Sequence, residues 1–548
     1  MNNIKVLDCT LRDGGRIINC EFDDQIITNM AKDLSTAGID IVEMGFLRSE
    51  ETTSYTGNST FFTSPNQIAP LLPPETSNTM FVAFADYNMY DFSALAPKEE
   101  NSIQGIRIGF TRKDFMEDLV ELKRALRLVK EQGYLLFAQG VNVLAYSDQE
   151  LLRLIDVVNE IEPYSFGIVD TYGAMYLEDI ERFYCLVDEN LKEGIAIDIH
   201  SHNNFQSSFT FAQEIIRLAK DEKRMIIIDA TLNGMGKCAG NLNTELIIDF
   251  LSRKQHRDYE LDGVLDAIDR YILPIRQSHS WGYSVPAFMA GIYKSHPNNI
   301  TYLTEKYRLN SKDIKYIISG IDEKTRERYD YDNIHRIYKQ YNKNKIDEEQ
   351  SIQTLKKQFK DTKVLVLAPG KTVDDYQEQI QRYIMEQKPC VVGVNFIPKK
   401  ILCDYYFYAN TIHWEKIQSE IDKSRCILSS NIHRNTEGTK QVDYASLIVE
   451  DSKLFDNSAI MLLNLLKKLE VASIHLAGFD GLKEVGENYV GSDFLNKNHE
   501  LSMLETNQEV GRLYDNYKKK VKGKIKVRII TPSMYEDTDF EDSISSER

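Results

Sequence analysis

The sequence has no apolar run close to the roughly 20 residues that a membrane-spanning helix needs. Its seven cysteines are scattered and form no CxxC pair, which favours reduced thiols over disulfides or a zinc knuckle. Positive charge is in deficit, since 66 Lys and Arg face 83 Asp and Glu and the net charge is −17. This balance disfavours nucleic acid polymers and anionic membranes as partners, but leaves room for a local basic pocket. The polar start is unlike a signal peptide, and we expect a cytoplasmic protein.

A chain of 548 residues is long for a single core, so we expect two or three domains. The composition, 42% hydrophobic and 27% charged, is typical of soluble globular proteins. The patterns predict a barrel domain over 1–300, a helical extension and charged linker over 301–360, and a second α/β domain over 361–530. Residues 531–548 read as an acidic tail without fixed structure.

The first domain alternates short β-branched runs with amphipathic helical segments. The runs are Ile4 to Leu11, Ile39 to Phe46, Met80 to Ala85, Ile106 to Phe110, Leu135 to Val143, Phe166 to Val169, Ala196 to Ile199 and Met225 to Ile228. This pattern predicts a (β/α)8 barrel, because barrel strands are buried on both sides and read as continuous apolar runs. An open doubly wound sheet is the main competitor.

Polar and ionisable residues favour the barrel, because they gather just after the strands, at the rim where barrel chemistry takes place. They are Arg12, Asp13, Glu43, Asp86, Asn142, Asp170, His200, His202 and Asn233.

A second α/β pattern begins at Lys363. The run Lys363 to Gly370 opens this pattern, and further strands are predicted at Cys390 to Asn395, Asp404 to Tyr408, Arg425 to Ser429 and Ser473 to Ala477. Strands that alternate with helices predict an open parallel sheet of the Rossmann-like kind.

His200 and His202 are two residues apart at a strand end, so both side chains point to the same face. Two imidazoles there form a chelate for a divalent ion, and oxygen ligands from Asp13 and Asn241 favour Mn or Mg over a structural zinc. The structural alternative is that the two histidines are only polar residues at the end of a strand and bind no metal. Placement at the barrel rim beside Arg12 and Asp13 argues against it.

Arg12 suits a reaction that forms an enolate. A metal can act as a Lewis acid on a 2-oxo acid while a fixed guanidinium neutralises the charge that develops on the same oxygen. A salt bridge from Arg12 to Asp170 or Glu43 is the structural alternative, and both roles are compatible.

Four short motifs follow one another along the barrel: Leu7-Asp8-Cys9-Thr10-Leu11-Arg12-Asp13-Gly14-Gly15, Asp170-Thr171-Tyr172-Gly173, His200-Ser201-His202-Asn203-Asn204, and Leu232-Asn233-Gly234-Met235-Gly236 with Ala239-Gly240-Asn241. In this order they resemble the DRE-TIM metallolyase (HMGL-like) superfamily. The resemblance is to its 4-hydroxy-2-oxovalerate aldolases and, more distantly, to hydroxymethylglutaryl-CoA lyases. It implies a divalent metal on Asp13, His200 and His202 with Asn241 as a further ligand. It also implies that Arg12 stabilises a pyruvate-like enolate.

The chain departs from those aldolases in one respect. They carry a histidine after the Arg-Asp-Gly motif, whereas this sequence has Gly15 and Arg16. Tyr283 or Tyr172 is a candidate replacement for the missing base, with simple packing as the alternative for Tyr283. Arg16 is a candidate to hold a carboxylate or phosphate of the substrate.

Other rim residues receive roles from their position. Glu43, Asn142 and Tyr172 join Arg16 as candidate substrate-binding residues. Asp170 is expected to orient a metal ligand or the arginine, with a helix N-cap as its alternative. We expect Cys238 to lie near the site without taking part in the reaction, with a catalytic thiol as the alternative.

The second domain offers weaker signals. Gly370, Lys371 and Asp480 are candidate nucleotide-binding residues because a turn after a strand can bind phosphate, with a loop and a helix cap as the alternative. The spacing is not that of a P-loop. The region vaguely resembles Rossmann-like domains of the pterin-pyrophosphokinase-like and sialyltransferase-like groups, which implies a nucleotide or nucleotide-sugar ligand.

Together these features predict a metal-dependent aldolase or oxo-acid lyase that forms a homo-oligomer. Its expected substrates are a small 2-oxo acid and an aldehyde. An acyl-CoA-dependent acyltransferase and a barrel without catalysis, acting as a scaffold or ligand sensor, are the alternatives. Gly15 and Arg16 fit the acyltransferase branch of the superfamily poorly, because in that branch a glutamate and a glutamine usually follow the Arg-Asp-Gly motif.

Overall fold

The structure is a computed structural model that describes residues 3–73, 78–219, 224–305, 309, 311–326, 330–343, 346–483, 488–490 and 502–535. The chain divides into two compact units. The first comprises 1–300 and 322–329, and the second 301–321 and 330–548. Residues 301–360, which the sequence suggested as a linker, are thus shared between the two units.

The first unit is a closed parallel barrel, as predicted. Its strands are β1 (Ile4–Asp8), β2 (Ile41–Leu47), β3 (Phe61–Phe62), β4 (Met80–Asp86), β5 (Gly105–Phe110), β6 (Leu135–Gly140), β7 (Ser165–Asp170), β8 (Ala196–Ser201) and β9 (Ile226–Ala230). Strand β1 pairs with both β2 and β9, which closes the ring, and the short β3 extends from β2 outside it.

Helices surround the barrel and continue beyond it. They are α1 (Asp24–Thr36), α2 (Arg112–Glu117), α3 (Leu119–Glu131), α4 (Asp148–Ile161), α5 (Leu177–Asn190), α6 (Ser208–Leu218), α7 (Thr244–Gln255), α8 (Leu261–Ala267), α9 (Leu273–Ser278), α10 (Val285–Ile292), α11 (Pro297–Glu305), α12 (Ser311–Ser319) and α13 (Glu323–Arg326). Capping boxes at Thr111 and Ser147 fix the starts of α2 and α4, since each side chain accepts an N–H that the helix leaves unpaired.

The interior of the barrel changes character along its axis. At the amino-terminal ends of the strands it is filled by a cluster of apolar residues that includes Leu7, Ile41 and Phe137. Above this cluster lie charged and amide side chains that are almost fully buried, among them Arg107 and Gln139. Gly167 makes room for Gln139, because a Cβ at residue 167 would lie 2.1 Å from Gln139 Oε1. The apolar end therefore closes the barrel, and the polar layer lies under the site.

The second unit contains a seven-stranded sheet in which every pairing is parallel. Its strands are β10 (Lys363–Leu367), β11 (Cys390–Val394), β12 (Tyr405–Tyr408), β13 (Cys426–Ser429), β14 (Lys440–Val442), β15 (Ser473–Ala477) and β16 (Lys526–Ile529). The order is β14-β13-β12-β11-β10-β15-β16, so the sheet grows outward in both directions from β10. The open parallel sheet was predicted, but the short strands β14 and β16 were not.

The second unit contains α12, the part of α11 after residue 300, and the remaining helices: α14 (Tyr331–Tyr341), α15 (Glu349–Phe359), α16 (Thr372–Asp375), α17 (Gln377–Gln387), α18 (Thr411–Ile417), α19 (Ser458–Lys468) and α20 (Met503–Val521). In the predicted tail, Thr531 is fully buried and its Oγ1 accepts the N–H of Gly478 at 3.1 Å. Residues 531–535 are thus part of the packed unit, whereas 536–548 lie outside the described residues. Across the described part of the chain, the helices are too short or too polar to cross a membrane.

Arg224 fixes the entry to β8, the strand that carries His200. Its guanidinium pairs with Asp188 and donates four hydrogen bonds to backbone carbonyls near the end of α5, at Asp188, Leu191, Lys192 and Ile195. Those carbonyls are what a helix end leaves unpaired, so one side chain satisfies the end of α5 and the turn before β8.

We predict that Arg224→Met lowers the free energy of unfolding of the barrel by about 3 kcal/mol, because it leaves buried carbonyls without donors. Urea unfolding followed by circular dichroism measures this loss. Arg253→Met is the matched control, since the Arg253 side chain is 73% exposed. Equal stability of the two variants would show that Arg224 does not hold this turn.

Candidate metal centre and active-site cavity

A cavity of about 270 Å³ opens at the carboxyl-terminal end of the barrel strands. Its walls include Arg12 and Asp13 from the turn after β1 and His200 and His202 from the end of β8. Parallel strands of a barrel bring their carboxyl ends to one rim, which explains why residues from distant parts of the chain meet here.

Asp13, His200 and His202 offer ligand atoms that all lie within 4.8 Å of one another. Asp13 Oδ2 is 3.8 Å from His202 Nε2, and the two imidazole rings are 5.1 Å apart between centroids. The sequence prediction that these three side chains converge agrees with this geometry.

The protonation states of the three groups suit metal binding. Burial lowers the pKa of His200 and of His202 to about 4, so both imidazoles are neutral at neutral pH. Burial alone would raise the pKa of Asp13, but Arg12 and the two histidines outweigh it and hold that pKa well below the usual range. The cluster therefore presents two neutral nitrogen donors and one carboxylate.

Asn241 completes this cluster. Its Nδ2 donates to Asp13 Oδ2 at 2.9 Å and to the carbonyl of Met235 at 3.0 Å. Its Oδ1 is buried and has no hydrogen-bond partner among the residues that the structure describes. The preceding loop requires glycine at 240, where φ is +74° and a Cβ would lie 1.9 Å from the carbonyl oxygen of Gly234.

These residues fit a divalent cation. A buried amide oxygen without a partner is costly, and a cation bound beside Asp13 would satisfy it. A second cluster, formed by Cys9, His200 and Asp229, fits poorly. Burial raises the pKa of the Cys9 thiol well above its usual value, and Asp229 Oδ2 is already bonded to His200 and to Arg107.

Arg12 is fixed by contacts on three sides. Its Nε donates to Glu43 at 2.5 Å, one Nη donates to Asp13 at 2.7 Å, and its guanidinium lies 4.5 Å from the ring of Phe84. Burial would lower the pKa of Arg12, but Glu43 and Asp13 raise it overall, so the side chain remains a cation. The other Nη makes no hydrogen bond to any described residue, and Arg12 lines the cavity.

A network of buried charges beneath the cavity was missed in the sequence. Arg107 donates to Glu43 at 3.1 Å, to Asp198 at 3.0 Å and to Asp229 at 2.6 Å. Asp229 Oδ2 in turn lies 2.9 Å from Nδ1 of His200. A charged residue within an apolar strand, as in Ile106-Arg107-Ile108, was the available signal.

Two candidate residues have contacts that bear on their predicted roles. Glu43 is fully buried and both of its oxygens bind arginines, so it forms the salt bridge with Arg12 that was the structural alternative, and it does not line the cavity as a substrate-binding residue would. The carboxylate of Asp170 accepts the N–H groups of Ala174 and Met175 and so shapes the β7 loop, while the Asp170 backbone carbonyl accepts the N–H of the candidate ligand His202 at 3.3 Å.

Three further candidates differ in their relation to the cavity. Tyr172 lines it, as predicted for a substrate-binding residue. Tyr283 is 59% exposed and is not part of its wall, which argues against a catalytic role. Asn142 has a left-handed backbone and its N–H donates to Thr171 Oγ1 at 2.8 Å, but its side chain does not line the cavity.

Lys237, Cys238 and His296 also line the cavity, and sequence reasoning assigned no function to the lysine or to this histidine. They come from loops, which show no periodic pattern. Burial raises the pKa of Cys238 to about 11, so it is a protonated thiol at neutral pH, as expected of a bystander.

In the second unit, the structure brings Gly370 and Asp480 together at the ends of β10 and β15. The carboxylate of Asp480 accepts the N–H of Thr372 at 2.8 Å and the Thr372 hydroxyl. Lys371 forms an ion pair of 4.0 Å with Asp374. The backbone N–H of Thr372, which a bound phosphate would need, is thus already bonded to Asp480. These contacts fit the alternative in which the residues are simply a loop and a helix cap.

Comparison with known families adds an independent finding. A family model described as HMGL-like matches residues 108–269, a range that includes both histidines and Asn241. The chain carries an HMGL-like domain. The matched range is part of the closed barrel described above and does not include Arg12 or Asp13.

Individual relatives are distant. The 4-hydroxy-2-oxovalerate aldolase of Moorella thermoacetica is 22% identical over 319 residues, which are 57% of this chain and 90% of that protein. The 2-isopropylmalate synthase of Halalkalibacterium halodurans is 23% identical over 290 residues, 49% of this chain and about half, 52%, of that protein. Among solved structures, the N-terminal domain of a proposed aldolase from Bacteroides vulgatus is 22% identical with a TM-score of 0.45, covering 56% of this chain and 98% of that one.

We predict that Asp229→Asn weakens Mn²⁺ binding by about tenfold or more, because the anchor that orients His200 loses its charge. Isothermal titration of the purified protein with MnCl2 measures the dissociation constant. Asp198→Asn is the matched control, since Asp198 binds Arg107 but not His200. An Asp229→Asn variant that binds as tightly as the control variant would show that this anchor does not support the metal site.

Proposed function

We propose that the HMGL-like domain is a divalent-metal-dependent carbon–carbon lyase of the aldolase type, which acts on a 2-oxo acid through its enolate. The observation that carries this proposal is the convergence, in one cavity, of the Asp13, His200 and His202 cluster with a fixed arginine that keeps a free donor. Aldol cleavage and addition need both parts, a Lewis acid and a cation near the oxygen that gains charge.

Asp13, His200, His202 and Asn241 would hold the metal, and a bound Mn²⁺ or Mg²⁺ would supply Lewis acidity toward the oxygens of the 2-oxo acid. We favour these two ions because half of the donor set is oxygen.

Arg12 would neutralise the negative charge on the enolate oxygen. Its contacts with Glu43 and Asp13 hold the guanidinium in place before substrate binds, so little reorganisation is needed during the reaction. Phe84 covers one face of this side chain and lines the cavity, which limits the access of water.

The relatives support this proposal without deciding between reactions. The alignment with the Moorella aldolase spans nearly all of that protein, whereas the alignment with the isopropylmalate synthase spans about half of it. This difference favours an aldolase over an acyl-CoA-dependent acyltransferase. A barrel without catalysis would have no use for a buried cluster of neutral imidazoles beside an ionised carboxylate.

The second unit stays a candidate nucleotide- or nucleotide-sugar-binding domain. Its support is the strand order of the sheet. Successive strands are added on one side of β10 as far as β14 and then on its other side from β15, so a topological switch point lies between β10 and β15. Open parallel sheets bind ligands in the crevice at such a point. The contacts of Asp480 argue against the particular residues first considered, and homo-oligomer formation also stays a prediction.

We predict that the protein with Mn²⁺ exchanges the methyl protons of pyruvate for deuterium, measured by proton NMR in deuterated buffer. Asp13→Asn should abolish the exchange, and Arg12→Met should slow it by about a hundredfold, because a preorganised charge near the enolate oxygen is lost. Arg253→Met, an exposed arginine on α7, is the control and should exchange at the wild-type rate.

Two outcomes would contradict the proposal. Wild-type protein that exchanges no protons with either Mn²⁺ or Mg²⁺, yet turns over an acyl-CoA with a 2-oxo acid, would be an acyltransferase. Protein that does neither and retains no metal would be a barrel without catalysis.

A further inference from the structure

The cavity contains more positive charge than enolate chemistry requires. Besides Arg12 and Arg107, its wall includes Arg16 and Lys237, with His296 beside them, against the carboxylates of Asp13 and Asp86. The whole chain has a net charge of −17, so this concentration of cations is local. Cations gathered in a partly enclosed cavity raise the local concentration of anionic ligands.

Lys237 is the least compensated of these groups. It is half-buried, and its ammonium forms no hydrogen bond or ion pair with any described residue. Burial lowers the pKa of Lys237 and the nearby Arg16 lowers it further, whereas Asp13 partly offsets this effect. A partly buried cation beside another cation is unfavourable unless an anion joins them, which points to a ligand that carries the missing negative charge.

Arg16 faces the same cavity and is only loosely held. Its Nε lies 3.4 Å from Asp13 Oδ1, and one Nη lies 3.9 Å from Asp86 Oδ2. Asp86 is bonded more closely to Arg48, at 2.7 Å. The guanidinium of Arg16 rests 4.6 Å from the ring of Phe46, so its plane is supported while its donors remain available.

His296 adds a neutral donor. Its Nδ1 accepts the backbone N–H of Asn298 at 3.1 Å, so a neutral ring carries its proton on Nε2. Burial, with Lys237 and Arg16 nearby, lowers the pKa of His296 to about 4. The imidazole can therefore donate a hydrogen bond at neutral pH without adding to the repulsion between the two cations.

We propose that Lys237 and Arg16, assisted by His296, form a subsite for a second acidic group on the substrate. The aldehyde half of the aldol pair would then carry a carboxylate or a phosphate. This inference rests on the proposed function, since it places the 2-oxo acid at Arg12 and the metal cluster. A cavity of about 270 Å³ is of a size that suits a pair of small molecules.

The test is aldol addition to three aldehydes by the full chain with Mn²⁺ and pyruvate. In this reaction a C–H bond of the pyruvate methyl group breaks and releases a proton, and the resulting enolate carbon bonds to the aldehyde carbon. The π bond of the aldehyde carbonyl breaks at the same time, and its oxygen takes up a proton to become a hydroxyl, so atoms and charge balance. Propanal is the neutral acceptor, succinic semialdehyde carries a carboxylate, and glyceraldehyde 3-phosphate carries a phosphate. Formation of the 4-hydroxy-2-oxo acid product gives kcat/KM for each.

We expect kcat/KM for at least one acidic acceptor to exceed that for propanal by about tenfold or more, the usual worth of a charge-assisted hydrogen bond. Whichever acidic aldehyde has the higher kcat/KM shows whether the subsite binds a carboxylate or a phosphate. Lys237→Met should reduce the ratio of acidic to neutral acceptor by about tenfold on the same basis. Lys237→Arg should retain most of the preference for acidic acceptors, because it keeps the positive charge. A loss in Lys237→Met alone therefore reflects the missing charge and not misfolding.

Lys254→Met is the control for removal of a lysine, since Lys254 is exposed on α7. A uniform loss with all three aldehydes in Lys237→Met would assign Lys237 to proton transfer and overturn the proposal. Equal kcat/KM for acidic and neutral aldehydes in the wild type would overturn it as well. Failure of the proposed function is distinguishable, because the wild type would then exchange no pyruvate protons at all.

Discussion

The site depends on the buried contacts of Arg107. This side chain is fully buried in the barrel and binds Glu43, Asp198 and Asp229 from three different strands. Glu43 in turn holds the side chain of Arg12 in place, and Asp229 holds the imidazole of His200. The arginine that would face the enolate oxygen and an imidazole of the metal cluster are therefore fixed by one guanidinium. Removing one partner of a buried ion pair is costly, so the network is stable only when complete.

The same network explains why a cation is favoured above it. Two guanidinium groups, those of Arg12 and Arg107, face the four carboxylates of Asp13, Glu43, Asp198 and Asp229. Burial raises the pKa of Asp198 to about 7 and raises that of Asp229, as expected where negative charge is in excess. A divalent ion at Asp13 would offset this excess, and the neutral imidazoles would accept it without losing protons.

The sequence predicted the barrel and the convergence of His200 and His202 because both depend on local periodicity. Apolar runs marked the strands, and the two-residue spacing of His200 and His202 placed both side chains on one face. The salt bridge between Arg12 and Glu43 was one of the alternatives that the sequence offered for Arg12, but the pattern did not show that Glu43 also binds Arg107, a cation buried within a strand. Lys237 and His296 reach the cavity on loops, whose course depends on tertiary packing. Tyr283 was assigned from its position in such a loop, and the structure leaves it exposed.

The most direct measurement is anomalous diffraction at the manganese edge from crystals of the full chain grown with Mn²⁺. The account predicts a single strong peak in the barrel, bounded by Asp13, His200 and His202 and in contact with Asn241. A peak on the other side of His200, beside Cys9 and Asp229, would contradict it. Well-ordered side chains of these ligands with no anomalous peak between them would contradict it equally.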